Sequence, residues 1–177
     1  MKFVMTGGGT GGHLYPAIAI AEQIKKVQPD SEIIFLGSKD SIEAELVPKR
    51  GYEFHAVPSR WFYRVNGFFS DMREFIKACS FTLAGICSSI KLIRRFKPDA
   101  VIGTGGFVSV PVVIAAALSK VPVIIHESDI TPGLANKIAT KFATKICTNF
   151  PETLQYLPKN KAVLTGSPIR KELLCGD

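Results

Sequence analysis

The sequence predicts a doubly wound α/β fold built on a parallel sheet. Three observations carry that prediction. Short apolar runs alternate with longer amphipathic segments along the whole chain. The short runs are rich in β-branched residues and apolar at consecutive positions, as strands buried on both faces must be. Glycine-rich loops follow the first and fourth runs, at the carboxyl ends where open α/β sheets bind ligands.

The strands are expected at Phe3–Met5, Ile33–Leu36, Phe54–Val57, Val101–Ile102, Val123–Ile125, Ile146–Thr148 and Val163–Leu164. Pro16–Val27 reads as a helix because Ile18, Ile20, Ala21 and Ile24 share one broad face. Asp40–Lys49 reads as a second, with Ser38 or Asp40 as its cap. Pro111–Leu118, Pro132–Phe142 and Pro151–Leu157 each begin beside a proline, which suits a first helical turn. Phe68, Phe69, Met72, Phe75, Ile76, Cys79, Leu83, Ile86, Ile90 and Ile93 recur at three- and four-residue spacing and predict a long helix with an apolar stripe. There is no internal repeat and no mid-chain linker. The chain reads as one domain, with Gly166-Ser167-Pro168 as the exit from the last strand.

At 177 residues and 46% apolar composition the chain is long and apolar enough to bury a core, which excludes disorder and fibrous repeats as global descriptions. Its net charge of +7 is localised. Between Arg60 and Lys97 stand Arg60, Arg64, Arg73, Lys77, Lys91, Arg94, Arg95 and Lys97 against only Asp71 and Glu74. The remainder is nearly neutral. One basic segment implies an anionic partner at one face, either an anionic membrane or nucleic acid. Nucleic acid fits less well, since no basic–aromatic strand platform is visible. An amphipathic helix flanked by cations can lie in an anionic membrane surface, or pack as a core helix with solvated cations.

Cys79, Cys87, Cys147 and Cys175 are widely spaced and form no CxxC pair, so neither a zinc nor a redox motif is expected. No signal-peptide pattern stands at Met1–Met5, and a reducing cytoplasm is the expected compartment. The uncharged stretch Ala78–Ile90 is shorter than the roughly 20 residues a bilayer crossing needs. Ala100–Ser119 is long enough, but Gly103, Gly105, Gly106 and Pro111 break it into a strand, a turn and a helix start.

Thr6-Gly7-Gly8-Gly9-Thr10-Gly11-Gly12-His13 follows the first strand. Without Cβ atoms such a loop turns sharply and brings its N–H groups close to a ligand. The next helix points its positive end at the loop, which suits a phosphate or diphosphate. Gly7, Gly9 and Gly12 also satisfy the dinucleotide spacing G-x-G-x-x-G. The second strand ends Leu36-Gly37-Ser38-Lys39 without the acid that would hold a ribose, leaving an NADP-type oxidoreductase site through Ser38 and Lys39 as an alternative. The second loop is Gly103-Thr104-Gly105-Gly106-Phe107-Val108-Ser109. Two such loops facing one cleft suit an extended anionic ligand.

As a neutral imidazole, His13 can accept a proton from a hydroxyl, or it can be a structural residue bonded to the loop. His126-Glu127-Ser128-Asp129 ends the fifth strand and reads as a site lining. No second histidine stands at ligand spacing from His126, so no metal site is expected, and His55 reads as structural.

Four motifs, TGGGTGGHLYP (residues 6–16), GTGGFVSVP (103–111), HESDITPGLAN (126–136) and GSPIR (166–170), occur in the order found in the MurG family, and the chain resembles that family over essentially its whole length. The resemblance implies a Rossmann-like domain, the N-terminal half of a GT-B glycosyltransferase. Residues 1–165 would be the acceptor-binding domain and 166–177 the start of the linker to a donor domain. The family moves N-acetylglucosamine from UDP-N-acetylglucosamine to an undecaprenyl-diphosphate-linked N-acetylmuramyl-pentapeptide for peptidoglycan, with inversion and without a cofactor or tightly bound metal. It implies His13 and Glu127 as catalytic residues. Thr10, Gly11, Gly12, Asp129, Ser167 and Arg170 would approach the donor. Gly8, Gly9, Gly103, Thr104, Gly105, Gly106, His126 and Asn136 would hold the acceptor and its diphosphate. The basic helix, with Phe68, Phe69, Met72, Arg73, Phe75, Ile76, Lys77, Cys79, Leu83 and Ile86, would dock on the cytoplasmic face of an anionic bacterial plasma membrane. A non-catalytic membrane-docking subunit of a split transferase is the other reading. The sequence departs from the family where Ser128-Asp129 replaces Gln-Asn, Phe107 replaces Tyr and Val110 replaces Gly.

Overall fold

The computed structural model describes residues 1–60 and 68–169, with side chains described for 1–60 and 72–169. The elements run β1 (Lys2–Thr6), α1 (Gly11–Val27), β2 (Glu32–Gly37), α2 (Ile42–Lys49), β3 (Glu53–Ala56), α3 (Phe68–Phe96), β4 (Ala100–Gly103), α4 (Ser109–Leu118), β5 (Val123–Glu127), α5 (Leu134–Ala139), β6 (Lys145–Thr148), a 3₁₀ turn (Pro151–Tyr156) and β7 (Ala162–Leu164). All strand pairs are parallel, in the order β3-β2-β1-β4-β5-β6-β7.

Strand alternation distributes the core between the two faces. Val4, Ile34, Leu36, Val101, Val123, Ile125 and Ile146 point to the side covered by α3, α4 and α5. Met5, Ile33, Phe35 and Ile102 point to the other, where Leu14, Ala17, Ile18 and Ala21 of α1 and Val47 of α2 cover them. Every strand expected from sequence is present, and residues 100–119 divide into β4, a loop and α4.

Several expected helix limits move. α1 starts at Gly11, five residues before Pro16, because the glycine loop itself winds into the first turn. Pro16 therefore lies inside the helix. Residues 130–133 are held in a loop and α5 spans only Leu134–Ala139. Residues 151–156 form a 3₁₀ turn rather than an α-helix.

The apolar stripe of α3 is divided. Ile93 is buried and Ile86 and Ile90 pack on the core, so the C-terminal half is an ordinary sheet-covering helix. Met72, Phe75, Ile76 and Leu83, toward the N-terminal end, are 47–64% exposed. Residues 72–96 are long and apolar enough to cross a membrane by length and composition, yet the buried Ile93 ties that helix to the sheet. α3 meets α4 at Gly85, where a side chain would overlap the Pro58 carbonyl and crowd Pro111.

Candidate functional site

β1 and β4 are neighbours, with Phe3 opposite Ala100 and Thr6 opposite Gly103. Their chains leave the sheet at the same level and then diverge, β1 toward β2 and β4 toward β5. The point where the strand order reverses is where an open sheet leaves a crevice. Both glycine loops sit there, and their backbones touch. A Cβ at Gly106 would overlap the Gly8 carbonyl, and Gly106 has φ +78°.

The crevice holds a cavity of about 410 Å³. Gly8, Gly9, Thr10 and His13 line it from the first loop, and Gly105, Gly106 and Phe107 from the second. Glu127, Asp129, Gly133, Leu134, Ala135 and Asn136 close the third side.

Two hydrogen bonds seat His13. Its Nδ1 lies 3.2 Å from the Thr104 carbonyl oxygen. A carbonyl only accepts, so in the neutral ring Nδ1 carries the hydrogen and Nε2 keeps its lone pair. The buried Thr104 hydroxyl donates to the His13 carbonyl over 2.7 Å. Gly105 leaves the ring its space, since a Cβ there would stand 2.7 Å from Nδ1.

Glu127 is 2% exposed, and both carboxylate oxygens are engaged. Oε1 accepts the Asp129 N–H at 2.9 Å. Oε2 accepts the Asn136 side-chain amide at 2.9 Å and the Gly133 N–H at 3.3 Å. The carboxylate thus ties the 128–136 loop to the end of β5. Asn136 donates again to the His126 carbonyl at 3.3 Å. Its Oδ1 is buried and has no partner among the described residues.

The structure places other expected site residues differently. His126 precedes Glu127 on a strand, so its ring turns to the opposite face and lies 3.4 Å from the Gly166 carbonyl, in the groove holding Thr165–Pro168. Burial keeps its imidazole below the usual 6.5, against weaker opposing contributions from Gly166, Asn149 and Glu127. Gly103 packs against Val113, and Thr104 sits behind His13, so neither lines the cavity. Gly11, Gly12 and Ser167 line a separate groove beside Tyr15 and Pro168. Arg170 and the side chains of Phe68 and Phe69 lie outside the described residues.

One residue escaped the sequence reading. Glu43 of α2 is 1% exposed beneath the first loop. Its carboxylate accepts the Gly9 N–H and the Ser38 N–H, each at 3.1 Å. Gly8 has no side chain because a Cβ there would overlap that carboxylate. The Gly9 N–H is therefore committed within the protein rather than offered to an anionic ligand. The Ser38 N–H is committed likewise. An acid in the first turn of a helix already has a local explanation, so no sequence signal set Glu43 apart. Among the described residues no group of three or more His, Cys, Asp or Glu is arranged to hold a metal.

Residues 3–148 match the glycosyltransferase family 28 N-terminal domain. The chain is 48% identical over 99% of its length to a protein of Clostridium botulinum (strain Hall) named UDP-N-acetylglucosamine--N-acetylmuramyl-(pentapeptide) pyrophosphoryl-undecaprenol N-acetylglucosamine transferase, and covers 48% of it. The Clostridium tetani protein of the same name is 46% identical, with 47% of it covered. The chain thus spans about half the length of the curated relatives it matches. It superposes on the crystal structure of Acinetobacter baumannii MurG with a TM-score of 0.76 and 27% identity, over 96% of this chain and 46% of that one. The UDP-GlcNAc 2-epimerase of Methanocaldococcus jannaschii shares the fold, with a TM-score of 0.64 at 13% identity over 94% of this chain and 46% of that one. Seven parallel strands in this order, glycine loops on adjacent central strands and the match across residues 3–148 place the chain in glycosyltransferase family 28, of which it carries the N-terminal, Rossmann-like half of a GT-B fold.

Proposed function

We propose that this chain is the acceptor-binding half of an inverting N-acetylglucosaminyltransferase. In this reading it holds a prenyl-diphosphate-linked N-acetylmuramyl-pentapeptide for glycosylation by UDP-N-acetylglucosamine. Residues 1–165 form the acceptor domain, and residues from 166 onward lead to a donor domain. The observation that carries the reading is the orientation of His13, whose Nδ1 is occupied by Thr104 while its other ring nitrogen remains an acceptor in a cavity between two glycine loops.

In the reaction Nε2 of His13 takes the proton of the acceptor hydroxyl as that oxygen attacks the anomeric carbon of the donor sugar from the face opposite the leaving diphosphate. The attack inverts that carbon. Asn136 lines the cavity beside the sugar, and Glu127 keeps it in place. The diphosphate of the acceptor lies against the second loop and the positive end of α4, since Glu43 commits the Gly9 N–H of the first. Asp129, at the cavity rim, faces the donor.

The test joins this chain to the donor half of a relative and measures transfer of N-acetylglucosamine. Turnover by the joined protein, and none by the 177-residue chain alone, is the expected outcome. Failure of the joined, folded protein to transfer sugar to the lipid-linked acceptor overturns the reading.

The exposed N-terminal part of α3 supports peripheral docking on the cytoplasmic face of an anionic membrane. Met72 and Ile76 present the apolar contacts, with exposed Arg73 and half-buried Lys77 beside them. Co-sedimentation with vesicles is expected to rise with anionic lipid and fall with salt, by about 1 kcal/mol per engaged cation. Indifference to both removes the electrostatic part.

A further inference from the structure

We propose that the trough between α3, α4 and α5 binds the first isoprenyl units of the lipid-diphosphate ligand, as a single chain running out of the cavity. This rests on the acceptor reading above and deepens it. The trough encloses about 590 Å³. Phe75, Cys79 and Leu83 of α3 form one wall, Val110 and Pro111 of α4 the floor, and Ile138 of α5 the other wall. Among its described lining side chains only Ser59, Arg60 and Thr82 carry nitrogen or oxygen.

Two features choose the occupant. First, the trough is continuous with the polar cavity, since Phe107, Leu134 and Ala135 line both. A ligand filling the two together needs a polar, anionic head and an apolar tail joined end to end. Second, the described lining offers few side-chain hydrogen-bonding groups, which a peptide strand would require and a hydrocarbon does not. Phe75 is 53% exposed, Leu83 64% and Leu134 66%, so covering them removes substantial apolar surface from water. Arg60 stands at the rim, bonded to Glu74 at 2.9 Å, with its guanidinium over the Phe81 ring.

The test uses the 177-residue chain without detergent and compares inorganic diphosphate, geranyl diphosphate and farnesyl diphosphate. Two thiols on α3 report occupancy, because Cys79 and Cys87 are both exposed and only Cys79 lines the trough. Affinity is expected to tighten about tenfold per isoprenyl unit, since an open trough buries only part of each unit's hydrocarbon. Farnesyl diphosphate should slow alkylation of Cys79 and leave Cys87 unchanged, and inorganic diphosphate should protect neither. Leu83→Asp, at an exposed position, should remove the gain with chain length.

Equal affinity for inorganic and prenyl diphosphates, with Cys79 alkylated at its free rate, overturns the trough and leaves the cavity reading intact. Absence of binding by any diphosphate overturns the cavity reading and the trough with it. Protection of Cys79 by anionic vesicles but not by soluble farnesyl diphosphate assigns this face to the bilayer and overturns the single-chain site.

Discussion

The Nδ1 of His13 lies 3.2 Å from the carbonyl oxygen of Thr104, and the Thr104 hydroxyl returns a bond of 2.7 Å to the His13 carbonyl. The pair locks the first glycine loop to the second across the two central strands. It also selects one ring tautomer, with hydrogen on Nδ1. Nitrogen NMR of the neutral side chain is expected to show that tautomer, and hydrogen on Nε2 instead would remove His13 as a base. In the protein joined to a donor half, His13→Asn should lower kcat by about 10²–10⁴-fold, the usual span for a positioned general base. A loss confined to KM would make the ring a binding group only.

Gly105 and Gly106 are predicted to tolerate no side chain. Both have positive φ, +107° and +78°, and a Cβ would strike the His13 ring at the first and the Gly8 carbonyl at the second. Alanine at either position should cost about 1–3 kcal/mol in urea unfolding, before any cost of separating the loops. Gly133 provides the control. It lines the same cavity but has φ −66° and nothing within 4 Å of a built Cβ. Gly133→Ala should stay within about 0.5 kcal/mol of the parent. Equal losses at all three positions would show that the closeness of the two loops is not what demands the glycines.

The strands were legible because a strand covered on both faces cannot hide its composition. Val4 and Met5 are both buried although they point to opposite sides, and the same holds for Val101 and Ile102. The start of α1 was not legible, since glycines have poor helix propensity and only their place at the strand end makes them helical. Adjacency in the sequence suggests one site for His126 and Glu127, whereas strand alternation sends them to opposite faces. That separation was available from the period of two. Glu43 was not, because its partners Gly9 and Ser38 are brought to it only by the pairing of β1 with β2.

Glu43 is predicted to be a pillar of the first loop. Its carboxylate accepts one N–H from the loop after β1 and one from the turn after β2. Glu43→Gln keeps one acceptor oxygen and sets an amide NH₂ against the other backbone donor, which should cost about 1–3 kcal/mol. Glu43→Ala also leaves a buried void and should cost more. Chemical denaturation orders the two variants. If Glu43→Gln matches the parent, the carboxylate is not what holds the loop.

His126 predicts how the domain responds to acid. Its pKa in the folded chain is held below the ordinary 6.5, chiefly by burial, with Gly166, Asn149 and Glu127 acting weakly in the opposite sense. The unfolded chain therefore binds the proton more readily, and stability rises with pH through this window. The contribution is complete above the unfolded value of about 6.5 and is lost as pH falls below it toward the folded value. The stability of the parent in urea unfolding should fall as pH drops below about 6.5, and His126→Gln should flatten that dependence while the carboxylate-driven loss at lower pH persists. An unchanged slope in the variant would place the acid sensitivity elsewhere.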